Sequence, residues 1–190
     1  MYIKTSEIMT SICVFCGSSP GQDPSHMALA KALGLALAKA NIRMVYGGGG
    51  LGLMGAAARA AHAAGGDVLG IIPHFLSEVE KTLTEVTHRR VKTMPERKKM
   101  MYENSNAFIV LPGGIGTLEE AVEILSWARL DLHRKPVIFL DDTGYWHPIL
   151  EGFSHFIRQG FAPESFAEQI LHASSPQQAL ALIEDKLKSG

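Results

Sequence analysis

The sequence predicts a single α/β domain, doubly wound around a mostly parallel sheet. Three observations carry that expectation. Short, continuous apolar runs rich in β-branched and aromatic residues recur along the chain. Stretches with helical apolar spacing separate them, and glycine- or serine-rich loops follow several of the runs. Strand–helix alternation of this kind builds a parallel sheet covered on both faces, so its strands read as unbroken apolar segments.

The expected strands are Ser11–Phe15, Ile42–Tyr46, Val68–Ile72, Ala107–Leu111 and Val137–Leu140, with weaker ones through Glu85–Val91 and Gln169–Ala173. Helical patterns fill the gaps. Ser25–Ala40 repeats Leu29, Leu33, Ala36 and Leu37; Leu53–Ala64 is alanine-rich and stops at Gly65-Gly66. Pro95–Asn104 is short and basic. Thr117–Leu132 presents Leu118, Ala121, Val122, Leu125 and Ala128 on one face, and Tyr145–Gln159 and Pro176–Lys188 complete the set. The pattern places an N-terminal extension at residues 1–10 and the domain at residues 11–188, without linker, repeat or low-complexity segment.

A chain of 190 residues with 46% hydrophobic and 19% charged residues is an ordinary globular one. A formal net charge of −1 argues against a nucleic-acid-binding surface, which needs a basic excess. No apolar stretch reaches membrane-span length and the first residues lack the apolar core of a signal peptide, so a cytoplasmic location without membrane contact is expected. The two cysteines, Cys13 and Cys16, fit a reducing compartment. They form a CxxC, but side chains three apart in a strand point to opposite faces, and a zinc site needs a second ligand pair. No metal site is expected from them or from the histidines, which lack HExxH spacing; His133 and His147 read as surface or satisfied core residues.

The glycine-rich loops are the chemical signal. They are Cys16-Gly17-Ser18-Ser19-Pro20-Gly21, the run Gly47-Gly48-Gly49-Gly50-Leu51-Gly52-Leu53-Met54-Gly55, and Pro112-Gly113-Gly114-Ile115-Gly116-Thr117. All follow strands, at the sheet edge where open α/β folds bind ligands. Glycine lets backbone approach an anion closely, and the following helix offers amides and a positive dipole end. Together the loops read as a phosphate cradle. A Walker A loop requires Gly-Lys-Ser/Thr, which is absent. GxGxxG occurs twice, at Gly47/Gly49/Gly52 and Gly50/Gly52/Gly55, but in so glycine-rich a run the match is weak. The ribose-binding acid of a dinucleotide site should end the next strand, whereas Asp67 begins it. An NAD(P)-dependent oxidoreductase is therefore a secondary alternative.

The charged residues near the third loop admit two readings. Arg97 and Lys98 sit in the basic segment Met94–Met101, which composition alone assigns to a solvated helix face. Glu119, Glu120 and Glu123 open the helix after the loop. Thr117-Leu118-Glu119-Glu120 fits a capping box, with Thr117 as N-cap and Glu120 at N3, and this is at least as good a reading as a catalytic acid.

These residues also carry a family resemblance. Pro112-Gly113-Gly114-Ile115-Gly116-Thr117-Leu118-Glu119-Glu120 is similar to the PGGxGTxxE motif of the Lonely Guy family, cytokinin riboside 5′-monophosphate phosphoribohydrolases once labelled possible lysine decarboxylases. Cys16–Ser19, Tyr46–Gly49 with Gly52–Gly55, and Arg97-Lys98 resemble further family motifs in the same order, over about Ser11 to Leu182. The resemblance implies a Rossmann-like fold, a homodimer and a nucleoside 5′-monophosphate substrate. It implies catalysis by Arg97 and Glu120 and substrate contacts from Arg97, Lys98 and Gly114 through Glu120, that is, including Ile115, Gly116, Thr117, Leu118 and Glu119. Glu80 and Ser126 match further substrate-binding positions, Ser126 where many relatives have threonine. The cradle reading adds Gly17, Ser18, Gly47, Gly48, Gly49 and Gly113. Ile124 and Trp127 are candidate residues for a subunit contact.

The implied reaction is hydrolysis of the N-glycosidic bond of AMP or an N6-prenylated AMP, releasing free base and ribose 5-phosphate. Positive charge grows on the ribose as the base leaves, and a carboxylate beside C1′ stabilises it. No cofactor is expected. A non-catalytic nucleotide sensor on the same fold is the principal alternative, since fold does not fix function. A pyridoxal-phosphate decarboxylase would need a Schiff-base lysine, for which Lys98 and Lys99 qualify only as lysines.

Overall fold

The computed structural model describes residues 10–189. The expected extension, residues 1–10, therefore falls almost wholly outside the described residues. Seven strands form one sheet: β1 (Ser11–Phe15), β2 (Arg43–Tyr46), β3 (Val68–Pro73), β4 (Thr87–Val91), β5 (Ala107–Val110), β6 (Val137–Leu140) and β7 (Ile170–Ala173). Their order is β4-β3-β2-β1-β5-β6-β7, and every pairing is parallel. The chain winds outward from β1 to β4, returns to β5 beside β1, and then winds the other way. The switch point lies between β1 and β5, where adjacent connections part and leave a crevice.

The helices are α1 (Pro24–Lys39), α2 (Gly52–Ala63), α3 (His74–Ser77), α4 (Met94–Glu103), α5 (Ile115–Arg129), α6 (His147–Arg158) and α7 (Pro176–Ser189), with a 3₁₀ segment at Glu164–Gln169. Among the described residues, no helix is long and apolar enough to cross a membrane.

Period-two alternation within the strands divides the core. Ile12, Val14, Met44, Tyr46, Ile109 and Ile138 pack against α1, α2 and α7. Cys13, Phe15, Val45, Ile71, Phe108 and Phe139 pack against α4, α5 and α6. Cys13 and Cys16 accordingly fall in different clusters, and burial pushes both thiols up, which keeps them protonated.

The weak strands prove to be edges. β4 carries exposed Thr87, Arg89 and Arg90, which blur its apolar pattern and shield the free edge. Two helix starts shift by two residues from expectation. α6 begins at His147 rather than Tyr145, because the Asp141 carboxylate holds Thr143, Tyr145 and Trp146 in a turn by accepting from their amides. α5 begins at Ile115 rather than Thr117, with Gly114 as its N-cap.

Candidate active site

A cleft of about 700 Å³ opens at the switch point. The loops after β1 and β5 form its floor and meet closely. The Gly17 amide donates to the Pro112 carbonyl at 3.1 Å, and a Cβ on Gly17 would stand 3.3 Å from Gly113 Cα. Arg97 and Glu120 enter from α4 and α5, and Glu80 comes from the segment after α3.

Arg97 is held in place before any ligand arrives. Thr93 caps α4 by accepting from the Glu96 amide at 3.3 Å, while the Glu96 carboxylate accepts from the Lys92 amide at 2.8 Å. This places Arg97 one turn into the helix, 8% exposed. Its Nε donates to the Ile71 carbonyl within β3 at 3.2 Å and its Nη2 to the Gly47 carbonyl, just past β2, at 3.5 Å. Its Nη1 lies 3.2 Å from Glu120 Oε1. The basic segment is thus not a uniformly solvated face, because one of its cations is buried against the sheet.

Glu120 is equally buried, and burial pushes its carboxyl up to about 7 against the pull of Arg97. A carboxyl near neutrality in a cleft, beside a fixed cation, is the arrangement expected of a group that handles charge or protons. The capping-box reading of Thr117 and Glu120 does not survive. Thr117 lies inside α5, Gly114 caps without a side chain, and Glu120 faces Arg97. The S/T-x-x-E pattern that does cap a helix is Thr93–Glu96, on the helix that carries Arg97.

With no capping side chain, the first-turn amides of α5 remain available. Among the described residues no acceptor is found for the amides of Ile115, Gly116 or Thr117, and the first helical bond runs from Leu118 to Gly114. Cβ atoms on Gly114 or Gly116 would meet nothing within 4 Å, so their glycines leave room in the cleft itself.

The second glycine loop has a different role. A Cβ on Gly47 would overlap the Arg97 guanidinium, and one on Gly49 would sit 2.5 Å from Glu80 Oε2. Gly47, Gly48 and Gly49 are buried and do not line the cleft; Gly47 and Gly49 back Arg97 and Glu80, which do, whereas Gly48 lies against Ile72 and His88. The amides of Leu53 and Met54 at the start of α2 donate to the Gly17 carbonyl, so that helix end is already occupied.

The remaining expected residues divide. Gly17, Ser18, Glu80, Gly113, Ile115 and Thr117 line the cleft. Glu80 Oε2 is buried there without a hydrogen-bond partner. Lys98 instead bridges Glu119 and Glu123, and the Glu119 hydrogen bond raises its ammonium. Lys99 is exposed and 3.8 Å from Glu103, so neither lysine is the buried amine that Schiff-base chemistry favours. Leu118, on α5, is half-buried and packs against the core. Ser126 is exposed on α5 beside Phe153, Phe156 and Phe161, in a separate hollow, and does not reach the cleft within this chain. Ile124 is buried, and Trp127 is half-buried, packed edge-on against Tyr102. Asp67 pairs with Arg43 at the opposite end of the sheet, away from any ribose. His133 Nε2 donates to the Ile124 carbonyl at 2.9 Å and its Nδ1 accepts from the Lys135 amide, so it is a satisfied half-buried residue.

Sequence reasoning missed His26 and Tyr145, which line the cleft in edge-on contact with each other. The available signal was Asp141-Asp142-Thr143-Gly144, a turn sequence after a strand ending at the same sheet edge.

Fold and cleft define a class: a doubly wound parallel α/β protein with a glycine-lined cleft at its switch point. Solved structures share the fold, including a molybdenum cofactor binding protein from Rippkaea orientalis (24% identity, TM-score 0.72, covering 96% of this chain and 99% of that one). The molybdenum cofactor carrier protein from Chlamydomonas reinhardtii matches equally well (22%, TM-score 0.72, 95% and 99%). At these identities the likeness concerns the fold alone. Residues 54–183 match the model of the family described as possible lysine decarboxylase, and the chain belongs to that family. Its curated relatives include the probable cytokinin riboside 5′-monophosphate phosphoribohydrolase LOGL5 of Oryza sativa subsp. japonica, 41% identical over 184 residues, 95% of this chain and 74% of that one. The cytokinin riboside 5′-monophosphate phosphoribohydrolase of Rhodococcoides fascians is 39% identical over 177 residues, 91% and 88%. The resemblance to the Lonely Guy family is thereby established.

Proposed function

We propose that this protein hydrolyses the N-glycosidic bond of a nucleoside 5′-monophosphate, AMP or an N6-prenylated AMP, to free base and ribose 5-phosphate. The observation that carries the reading is the buried Arg97–Glu120 pair, one helical turn from unengaged amides at the start of α5. The amides of Ile115, Gly116 and Thr117 take the 5′-phosphate, helped by the helix dipole. That anchoring fixes the ribose relative to Glu120. As the C1′–N bond breaks, its electron pair leaves with the base and positive charge develops on the sugar ring. The Glu120 carboxylate stabilises that charge and orients water, whose hydroxyl adds to C1′ while its proton offsets the charge of the departing base. Arg97 stays protonated and holds Glu120 in position. Glu80, which lines the cleft, contributes a carboxylate acceptor for a sugar or base donor.

The reaction draws only on water and the chain's own groups. A cytoplasmic setting accords with two buried, protonated thiols. A homodimer is part of the proposal, supported by the family resemblance and by exposed Val122, Phe156 and Phe161 around the hollow beside α5.

The test is incubation of purified protein with AMP, prenyl-AMP, CMP, GMP and adenosine, with separation of products. Base release from a purine monophosphate, at far higher kcat/KM than from adenosine, is expected. Absence of base release from every nucleotide refutes the reading.

A further inference from the structure

The turn after β6 presents a residue that the hydrolytic scheme above leaves unused. Asp141 follows the last residue of β6 and is 1% exposed. Its carboxylate accepts from the amides of Thr143 at 3.1 Å, Tyr145 at 2.8 Å and Trp146 at 3.3 Å, and lies 3.3 Å from His172 Nε2. Trp146 pins the turn from its far side: its indole donates to the Val110 carbonyl at 3.2 Å and its ring packs edge-on against Phe139. The backbone of Tyr145 is thus tied to β5 and β6, rigid parts of the sheet.

The Tyr145 side chain reaches from this anchored turn into the cleft. Its hydroxyl donates to the Gly113 carbonyl at 2.6 Å, and its ring stands edge-on to His26 with centroids 5.3 Å apart. That carbonyl belongs to the peptide joining Gly113 to Gly114, immediately before the first turn of α5. Gly113 is required for space within the protein, and Gly114 keeps the cleft itself open. A Cβ on Gly113 would collide with the Thr117 side chain and the Gly17 amide, and one on Gly114 would project into the open cleft. The requirement for two adjacent glycines brings conformational freedom to the one peptide that an anion site needs fixed. In a planar trans peptide the carbonyl and the next amide point in opposite directions. Rotation of this unit therefore exchanges a donor for an acceptor at the lip of the helix, where an oxygen would repel phosphate.

We propose that Tyr145 is a positioning residue for the anion cradle. Its hydroxyl, anchored through Asp141, latches the Gly113–Gly114 peptide and occupies the carbonyl that would otherwise face the phosphate. The inference rests on the phosphate-binding reading of the cleft but not on the identity of the bond that is cleaved. It assigns to Tyr145 a part in discriminating phosphorylated from unphosphorylated substrate.

The test is Tyr145→Phe, which removes one oxygen and keeps the ring against His26. Three quantities are measured: binding of ribose 5-phosphate by calorimetry, kcat/KM for AMP and for adenosine, and relaxation dispersion at the Gly114 amide. Loss of the latch is expected to weaken ribose 5-phosphate binding about tenfold, the scale of one well-made hydrogen bond. The AMP-to-adenosine ratio of kcat/KM is expected to fall by a similar factor, with adenosine turnover unchanged, and dispersion at Gly114 is expected to increase. Unchanged affinity and an unchanged ratio overturn the proposal. So does an equal loss on AMP and adenosine, which marks a general structural role. Wild-type protein that binds ribose 5-phosphate but releases no base refutes the proposed reaction, while the affinity comparison still decides the latch. Wild-type protein that does not bind ribose 5-phosphate overturns the latch itself.

Discussion

Replacing Glu120 by glutamine tests the proposed chemistry most directly, because the structure predicts opposite effects on activity and stability. Its carboxyl is pushed from the usual 4.5 to about 7, with burial the first cause and Arg97 at 3.2 Å opposing it. Between those values the unfolded chain releases a proton that the folded protein keeps, so stability falls as pH rises through this window. The interval corresponds to about 3 kcal/mol at about 1.36 kcal/mol per pH unit. The wild-type enzyme lacks that stability above about pH 7, where the carboxylate is fully formed. Glutamine mimics the protonated acid in size and still accepts from Arg97, so it escapes the loss. Glu120→Gln is therefore expected to match wild type near pH 4.5 and to exceed it by up to about 3 kcal/mol near pH 8. Its kcat on AMP is expected to fall by about 10² or more, the scale of losing an acid–base group. Wild-type kcat/KM should rise with pH through an inflection near 7, where Glu120 ionises, and plateau above it. Calorimetric melting and steady-state assays from about pH 5 to about pH 8.5 measure both effects, with Glu119→Gln as the exposed neighbour control. A folded Glu120→Gln protein with near wild-type turnover, or a wild-type profile that falls through 7, would refute the assignment of Glu120 as the reacting carboxylate.

Three further outcomes are expected. Gly116→Ala should gain up to about 1 kcal/mol of helix stability, yet raise KM for AMP about five- to tenfold, because its Cβ enters the space left for phosphate; thermal melts and initial rates check both. Gly47→Ala should displace the Arg97 guanidinium, lowering stability by about 1–3 kcal/mol and kcat by about 10², as read by denaturant titration and AMP turnover. Light scattering on the 20.6 kDa chain should give twice that mass, and Phe161→Glu, at a side chain 81% exposed beside the α5 hollow, should shift it toward monomer.

The alternation of apolar runs and helical spacings determined the fold class, because a sheet covered on both faces must be built from continuous apolar strands. It did not determine the edges cleanly. Thr87, Arg89 and Arg90 on β4 answer to solvent on their open side, so periodicity there carries little information. The motifs likewise marked the cleft: Arg97, Glu120, Glu80 and the loops at Gly17 and Gly113 meet there.

What the motifs could not reveal was which glycines face a ligand and which face protein. Gly114 and Gly116 look into open space, while Gly47 and Gly49 lie against Arg97 and Glu80. That distinction depends on neighbours fifty residues away in sequence for Gly47 and Arg97. The same holds for capping. Thr93–Glu96 and Thr117–Glu120 share one local pattern, and only the tertiary pairing of Glu120 with Arg97 separates the cap from the reacting group. Tyr145 was invisible for the same reason. Nothing within its own segment indicates that its hydroxyl meets Gly113, a contact created by the adjacency of β5 and β6. Local sequence specifies periodicity and backbone freedom, whereas charge burial and the partner of each polar atom are set by which strands become neighbours.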